Sequence, residues 1–223
     1  MVDSASQQLC ASVRFRQLSS LLLSGNYLDD VSLATIATGM ATLRKNLNGK
    51  INITTLDLTD NKLSGCGKVL SEQIICALPK LARLFLGYNR LTPATTALVM
   101  KSLNKSSSLT EIDFSWNQIG NAGAILLGSA IGKTKLLRRV KVVHCSIMAR
   151  GAMVLFDGLQ RNQTVEHFDI SQNAIGEDGG QALLRLWGAR EMECELVWKQ
   201  CNVTAVADTA RMIQTKDLIA IKQ

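Results

Sequence analysis

Apolar residues along this chain return to fixed places in an eleven-residue phrase, L-x-x-L-x-L-x-x-N-x-L, which occurs seven times. Its ninth positions are Asn26, Asn61, Asn89, Asn117, Cys145, Asn173 and Cys201, separated by one step of 35 residues and then by steps of 28. The phrases run from Leu18 to Leu28, Ile53 to Leu63, Leu81 to Leu91, Leu109 to Ile119, Leu137 to Ile147 and Val165 to Ile175, with a degenerate last one from Glu193 to Val203. Within each, the fourth and sixth positions are apolar, as in Leu56 and Leu58 or Ile112 and Phe114. That alternation predicts a short strand with one face buried. Between phrases the period becomes helical. After Asn117 come Ile119, Gly123, Ala124, Leu127, Ala130 and Ile131, and after Asn173 come Ile175, Gly179, Ala182, Leu183 and Leu186. One strand, one turn and one helix per 28 residues predicts a parallel sheet lined by helices, in which each unit buries its apolar face only against its neighbours.

The expected organisation is a single domain over residues 1–223. Residues 1–16 would form an N-terminal cap, 17–203 the seven strand-turn-helix units, and 204–223 a closing helix and short strand. The seven extra residues of the first unit, around Gly39 to Gly49, predict a longer helix or loop. The ninth-position Asn has a mechanical role, because its amide both donates and accepts and so satisfies backbone groups where the strand turns.

Composition changes this picture little. Apolar residues make up 47% of the chain, but aromatics only 4%, so Leu, Ile, Val and Ala must fill the core. The six cysteines show neither paired metal spacing nor a framework of close pairs, which is the usage of reduced thiols in a cytoplasmic protein. Four N-x-S/T triplets begin at Asn52, Asn104, Asn162 and Asn202, and the first three fall where a polar turn is needed before a strand. The formal net charge is +7, densest at Lys133, Lys135, Arg138, Arg139 and Lys141.

A period in this range with this phrase marks a leucine-rich repeat. The run from Asn117 through Gln118, Ile119, Gly120, Asn121, Ala122, Gly123 and Ala124, echoed from Asn173 to Leu184, resembles the ribonuclease-inhibitor subclass. The resemblance implies an α/β right-handed solenoid, a horseshoe with the sheet on its concave face and helices on its convex face. It also implies protein binding on the concave face. Relatives of this kind include ribonuclease inhibitor, Ran GTPase-activating protein, the repeat domains of NOD-like receptors and tropomodulin-like actin regulators.

The register then assigns rows of side chains to the concave face, since equal positions of successive units lie about 4.8 Å apart. The eighth-position row reads Gly25, Asp60, Tyr88, Trp116, His144, Gln172 and Gln200. Phe85, at the fifth position, is expected beside Tyr88 and Trp116, with Arg83 next to them. Aromatics rimmed by Arg are typical binding hot spots. Lys141 falls between Asp113 and Asp169, and Arg139 between Glu111 and His167. This alternation favours pairing among the protein's own charges over a continuous stripe for nucleic acid. The candidate partner-binding set is therefore Arg83, Phe85, Tyr88, Glu111, Asp113, Trp116, Arg139, Lys141 and His144.

No catalytic, cofactor or metal site is expected. Gly128 to Thr134 resembles a phosphate-binding loop one residue short, but it ends a helix where such a loop must open one. His144 and His167 lie five positions apart in their phrases, about 16 Å along the strand direction, too far to share a metal. The expected function is a non-catalytic protein-interaction module or scaffold, with cytoskeletal or axonemal assemblies as one setting and no nucleic-acid, membrane or small-molecule partner. A GTPase-activating regulator and an innate-sensor repeat domain are the alternatives.

Overall fold

The computed structural model describes residues 18–46, 51–103, 105–189 and 194–203. Its strands are β1 (Ser20–Leu22), β2 (Thr55–Asp57), β3 (Arg83–Phe85), β4 (Glu111–Asp113), β5 (Arg139–Lys141), β6 (His167–Asp169) and β7 (Glu195–Val197). All pair in parallel in the order of the chain, and each third position stands beside the next third position, as Arg83 beside Glu111 and Glu111 beside Arg139. Each strand occupies only positions three to five of its phrase. The intervening helices are α1 (Asp30–Asn46), α2 (Val69–Ile75), α3 (Pro93–Leu103), α4 (Gly120–Ile131), α5 (Ala149–Arg161) and α6 (Gly176–Ala189).

The fourth and sixth positions form the core, as the alternation predicts. Leu56, Leu58, Leu84, Leu86, Ile112, Phe114, Val140, Val142 and Phe168 are all at 0% exposure. Burying a side chain of this size contributes about 1.5–3 kcal/mol, and the contribution repeats with every turn. The extra length of the first unit is helical: α1 has 17 residues against 12 in α4 and 13 in α5. The second unit departs from α-helical geometry, since α2 winds as a π-helix. The segment that resembles a phosphate-binding loop lies in the end of α4 and the turn after it. The expected caps over 1–16 and 204–223 lie outside the described residues.

The ninth-position side chains stitch the turns together. Asn117 Nδ2 donates to Leu86 O of the preceding turn and to Phe114 O of its own, both at 2.9 Å. Asn173 repeats this on Val142 O and Ile170 O at 2.7 and 2.8 Å. The Asn oxygen accepts in the other direction, taking Leu91 N–H on Asn117 and both Cys145 and Ile147 N–H on Asn173. Cys keeps only the donor half of this pattern. The Cys145 thiol reaches Phe114 O at 3.3 Å, and that of Cys201 reaches Ile170 O at 3.4 Å.

On the convex side, α4 and α5 meet backbone to backbone. A Cβ placed on Gly158 would run into the carbonyl oxygen of Gly128, and one on Gly128 into that of Val154. Glycine is required at this contact because there is no room for a side chain.

The concave face and its aromatic stack

Third and fifth positions face outward on either side of the buried fourth. The seventh does so less than strand alternation suggests, because Ser115 and Ser171 are buried and their hydroxyls accept Val143 N–H and Lys199 N–H of the next turn.

The eighth position is not a strand residue at all. Gly25, Asp60, Tyr88, Trp116, His144, Gln172 and Gln200 all have positive φ, between 51° and 68°. Glycine adopts this left-handed region without penalty, whereas a bulky residue there is an outlier. A non-glycine residue held there costs about 1–3 kcal/mol. Gly25 in the first phrase was the sequence signal for this geometry, and the strand pattern concealed it.

Three of these strained residues carry rings, and the rings stack. The Tyr88 and Trp116 ring centroids are 5.0 Å apart with planes 11° apart, and those of Trp116 and His144 are 4.0 Å apart at 23°. Tyr88 remains 52% and Trp116 37% exposed, so the stack faces solvent along the concave rim. An aromatic pair of this kind is worth about 0.5–1.5 kcal/mol beyond its buried area. Two such pairs at best offset three strained backbones, so fold stability does not account for these residue types. Phe85 stands apart from the stack. It is half-buried in β3, in register between Asp57 and Asp113.

The charged rows behave differently from the alternating pairs that the sequence suggests. Asp57, Asp113 and Asp169 each turn Oδ1 back to a backbone N–H two residues on, Thr59, Ser115 and Ser171, at 2.8–3.0 Å. A carboxylate committed to its own turn is poorly placed to reach across strands. Among the described residues no ion pair joins Lys141 to Asp113 or Asp169, or Arg139 to Glu111; Arg138 pairs with Glu166 and Arg161 with Asp157, and His167 Nδ1 lies 3.0 Å from Glu195 Oε2. Glu111, Arg139 and Lys141 therefore present charge to solvent beside the stack, whereas Arg83 Nε is tied to Thr55 Oγ1 at 3.0 Å. Beyond His144 the face dips into a hollow of about 700 Å³ lined by Val143, Asp169, Gln172, Val197 and Lys199.

The thiols are set against nucleophilic chemistry. Burial pushes the Cys66 thiol up to about 12, helped by the charge of Asp30, and pushes Cys145 to about 12 as well. Cys201 is raised for the same reason. A buried neutral thiol is inert. Among the described residues no group of three His, Cys, Asp or Glu side chains could hold a metal ion, and no helix is long and apolar enough to cross a membrane.

Known proteins share this geometry. A leucine-rich repeat family pattern matches residues 49–67, 105–128 and 161–184. Pig ribonuclease inhibitor is 26% identical over 81% of this chain and 41% of its own length. Human NACHT, LRR and PYD domains-containing protein 12 is 30% identical over 68% of this chain and 15% of its own. The chain thus spans less than half the length of these relatives. Among solved structures, leiomodin-1 actin-binding site 2 aligns over 97% of this chain and 95% of that one with a TM-score of 0.50 at 8% identity, a likeness of fold. The repeat phrase, the asparagine ladder, the seven-stranded parallel sheet and these relatives together make the chain a leucine-rich repeat protein of the ribonuclease-inhibitor-like subclass.

Proposed function

We propose that the concave face binds a protein partner, with the Tyr88–Trp116–His144 stack as its anchor and Glu111, Arg139 and Lys141 setting orientation. Arg83, Phe85 and Asp113 would shape the floor beside the anchor. One observation carries the reading: three large rings sit exposed at left-handed positions where Gly25 makes the same turn without them. Strain that the fold does not need points to a role outside the fold. Exposed aromatics are the residues that dominate protein interfaces. The charges alongside them act on approach and specificity more than on affinity.

The module would be non-catalytic and would work in the cytoplasm as a scaffold piece of a larger assembly, in keeping with the free thiols of Cys66, Cys76, Cys145 and Cys201. The name of leiomodin-1 actin-binding site 2 makes an actin-based assembly one candidate setting. The GTPase-regulator reading gains no support from Arg83, whose guanidinium is engaged with Thr55.

The test compares tagged wild-type chain with a Tyr88→Gly/Trp116→Gly/His144→Gly variant, in which glycine suits the backbone of all three sites. Proteins retained by the wild type alone are purified and their affinity measured against both chains. A loss of two hot-spot residues at about 2 kcal/mol each weakens binding by about 1,000-fold. Equal affinity for a correctly folded variant would dismiss the concave stack as the site.

A further inference from the structure

The charge of the described chain is not spread evenly over the solenoid. On the edge where helices end and lead back into strands lie Arg44, Lys45, Lys80, Lys101, Lys105, Lys133, Lys135, Arg138 and Arg161, with Glu72, Asp157 and Glu166 against them among the described residues. On the opposite edge, where strands turn into helices, Lys62, Lys68, Arg90, Arg150 and Lys199 are balanced by Asp29, Asp30, Asp60, Glu177 and Asp178. The excess positive charge is concentrated on one lateral face.

Repeat geometry orders that face. Lys105, Lys133 and Arg161 occupy the same position of three successive units, four residues before the phrase begins, and all three are exposed. The guanidinium of Arg161 lies over Gly132, next to Lys133, so like charges are gathered rather than dispersed. The two carboxylates nearest this row are already engaged, Glu166 with Arg138 at 2.9 Å and Asp157 with Arg161 at 2.6 Å. Lys133 and Lys135 take part in no ion pair among the described residues and line, with Leu103, Leu136, Ser106 and Thr134, a depression of about 470 Å³.

We infer that this basic edge is a second binding surface, and that it takes an acidic segment of a protein partner carrying an apolar side chain between carboxylates. The lysine row supplies attraction to the carboxylates, and the Leu103–Leu136 depression supplies a seat for the apolar side chain. A membrane surface fits less well, because the large exposed apolar residues among those described lie elsewhere: Leu22, Tyr27, Val31, Tyr88, Trp116 and Met148 on the concave face or the strand-to-helix side, and Leu98, Leu126 and Met153 within α3, α4 and α5. A nucleic acid fits less well too. On this edge Arg138 and Arg161 are already engaged with Glu166 and Asp157. The surface is separate from the aromatic stack and does not depend on it.

Fluorescence anisotropy with a labelled Glu-Glu-Leu-Glu-Glu-Leu-Glu-Glu peptide tests the inference on the full chain. Lys105→Gln/Lys133→Gln/Lys135→Gln removes three exposed charges, and at about twofold in affinity for each the peptide should bind about tenfold more weakly. Lys62→Gln/Arg90→Gln/Lys199→Gln lowers the net charge equally on the opposite edge and should leave binding within twofold. A peptide with both leucines changed to Ser should bind more weakly than its parent. The Tyr88→Gly/Trp116→Gly/His144→Gly chain should bind the peptide as the wild type does, which keeps this result independent of the concave reading. The inference is overturned by equal losses in the two charge variants, by no peptide binding, or by tighter binding to a DNA duplex or to phosphatidylserine vesicles than to the peptide.

Discussion

At most positions in a protein glycine is less stabilising than alanine, and at Trp116 the order should reverse. Trp116 has φ 60° and joins two ring stacks at 5.0 and 4.0 Å. Trp116→Ala and Trp116→Gly both remove the two stacks, a shared loss of about 1–3 kcal/mol. They differ in the backbone. Alanine occupies the left-handed region at a cost of about 1–2 kcal/mol, and glycine occupies it without that cost. Against this stands the greater unfolded-state freedom of glycine, about 0.5–1 kcal/mol. The two ranges, taken at their midpoints, leave Trp116→Gly more stable than Trp116→Ala by about 0.75 kcal/mol. With a urea slope of about 2 kcal/mol/M, the unfolding midpoints followed by circular dichroism should differ by about 0.3–0.5 M. The Gln172→Gly and Gln172→Ala pair, at φ 59° with no ring partner, should show the same order. If alanine equals or exceeds glycine at both sites, the backbone is not strained there. The argument that function retains the rings would then fail with it.

Asn173→Ala leaves the Cys145 and Ile147 N–H groups without their acceptor. At about 1–3 kcal/mol for each, urea unfolding should show a loss of about 2–6 kcal/mol, and a loss under about 1 kcal/mol contradicts the ladder's role. Asn173→Cys, which retains a donor as Cys145 does, should lose less than the alanine variant. In a Cys10→Ser background a thiol reagent at neutral pH should modify exposed Cys76 rapidly and Cys66, Cys145 and Cys201 only on unfolding; fast uptake at all four would count against their burial. The folded thiols of Cys66 and Cys145 are raised from 9.0 to about 12, so their contribution is whole below pH 9 and is lost as pH rises toward 12. Unfolding free energy should therefore fall between pH 9 and 11 more steeply in the wild type than in Cys66→Ala/Cys145→Ala, and parallel curves would exclude these thiols as the cause.

The solenoid was legible because its cause repeats: Leu56, Leu84, Ile112, Val140 and Phe168 are the same buried position written in five units, and no local preference competes with that agreement. The asparagine ladder was legible for the same reason, down to Cys145 and Cys201 as its variants. The eighth row was harder to read. Alternation describes a strand, but each strand stops at the fifth position, and the turn that follows obeys dihedral angles that apolar spacing does not encode. Spacing puts Tyr88, Trp116 and His144 in one row without giving the dihedral reason for it, and it groups with them Phe85, which the stack leaves out. The charge pairs failed more plainly. Facing positions bring Lys141 between two aspartates, yet Asp113 and Asp169 serve backbone N–H groups of their own turns, a competition invisible in a list of charges. The edge row of Lys105, Lys133 and Arg161 was hidden because its members lie 28 residues apart in sequence.

The glycine contact between α4 and α5 has a geometric corollary for the opposite side of the molecule. A solenoid bends because its outer layer is spaced more widely than its inner one, and the inner spacing is fixed at about 4.8 Å by strand pairing. The arc angle added per turn is the difference in spacing divided by the distance between layers. With layers about 10 Å apart, each ångström between neighbouring helices changes that angle by about 6°. Gly128 and Gly158 hold the back of turns four and five close together, directly behind Trp116 and His144. The bend of the concave face between turns four and five is thus set on the outer wall, by two residues that lie far from that face.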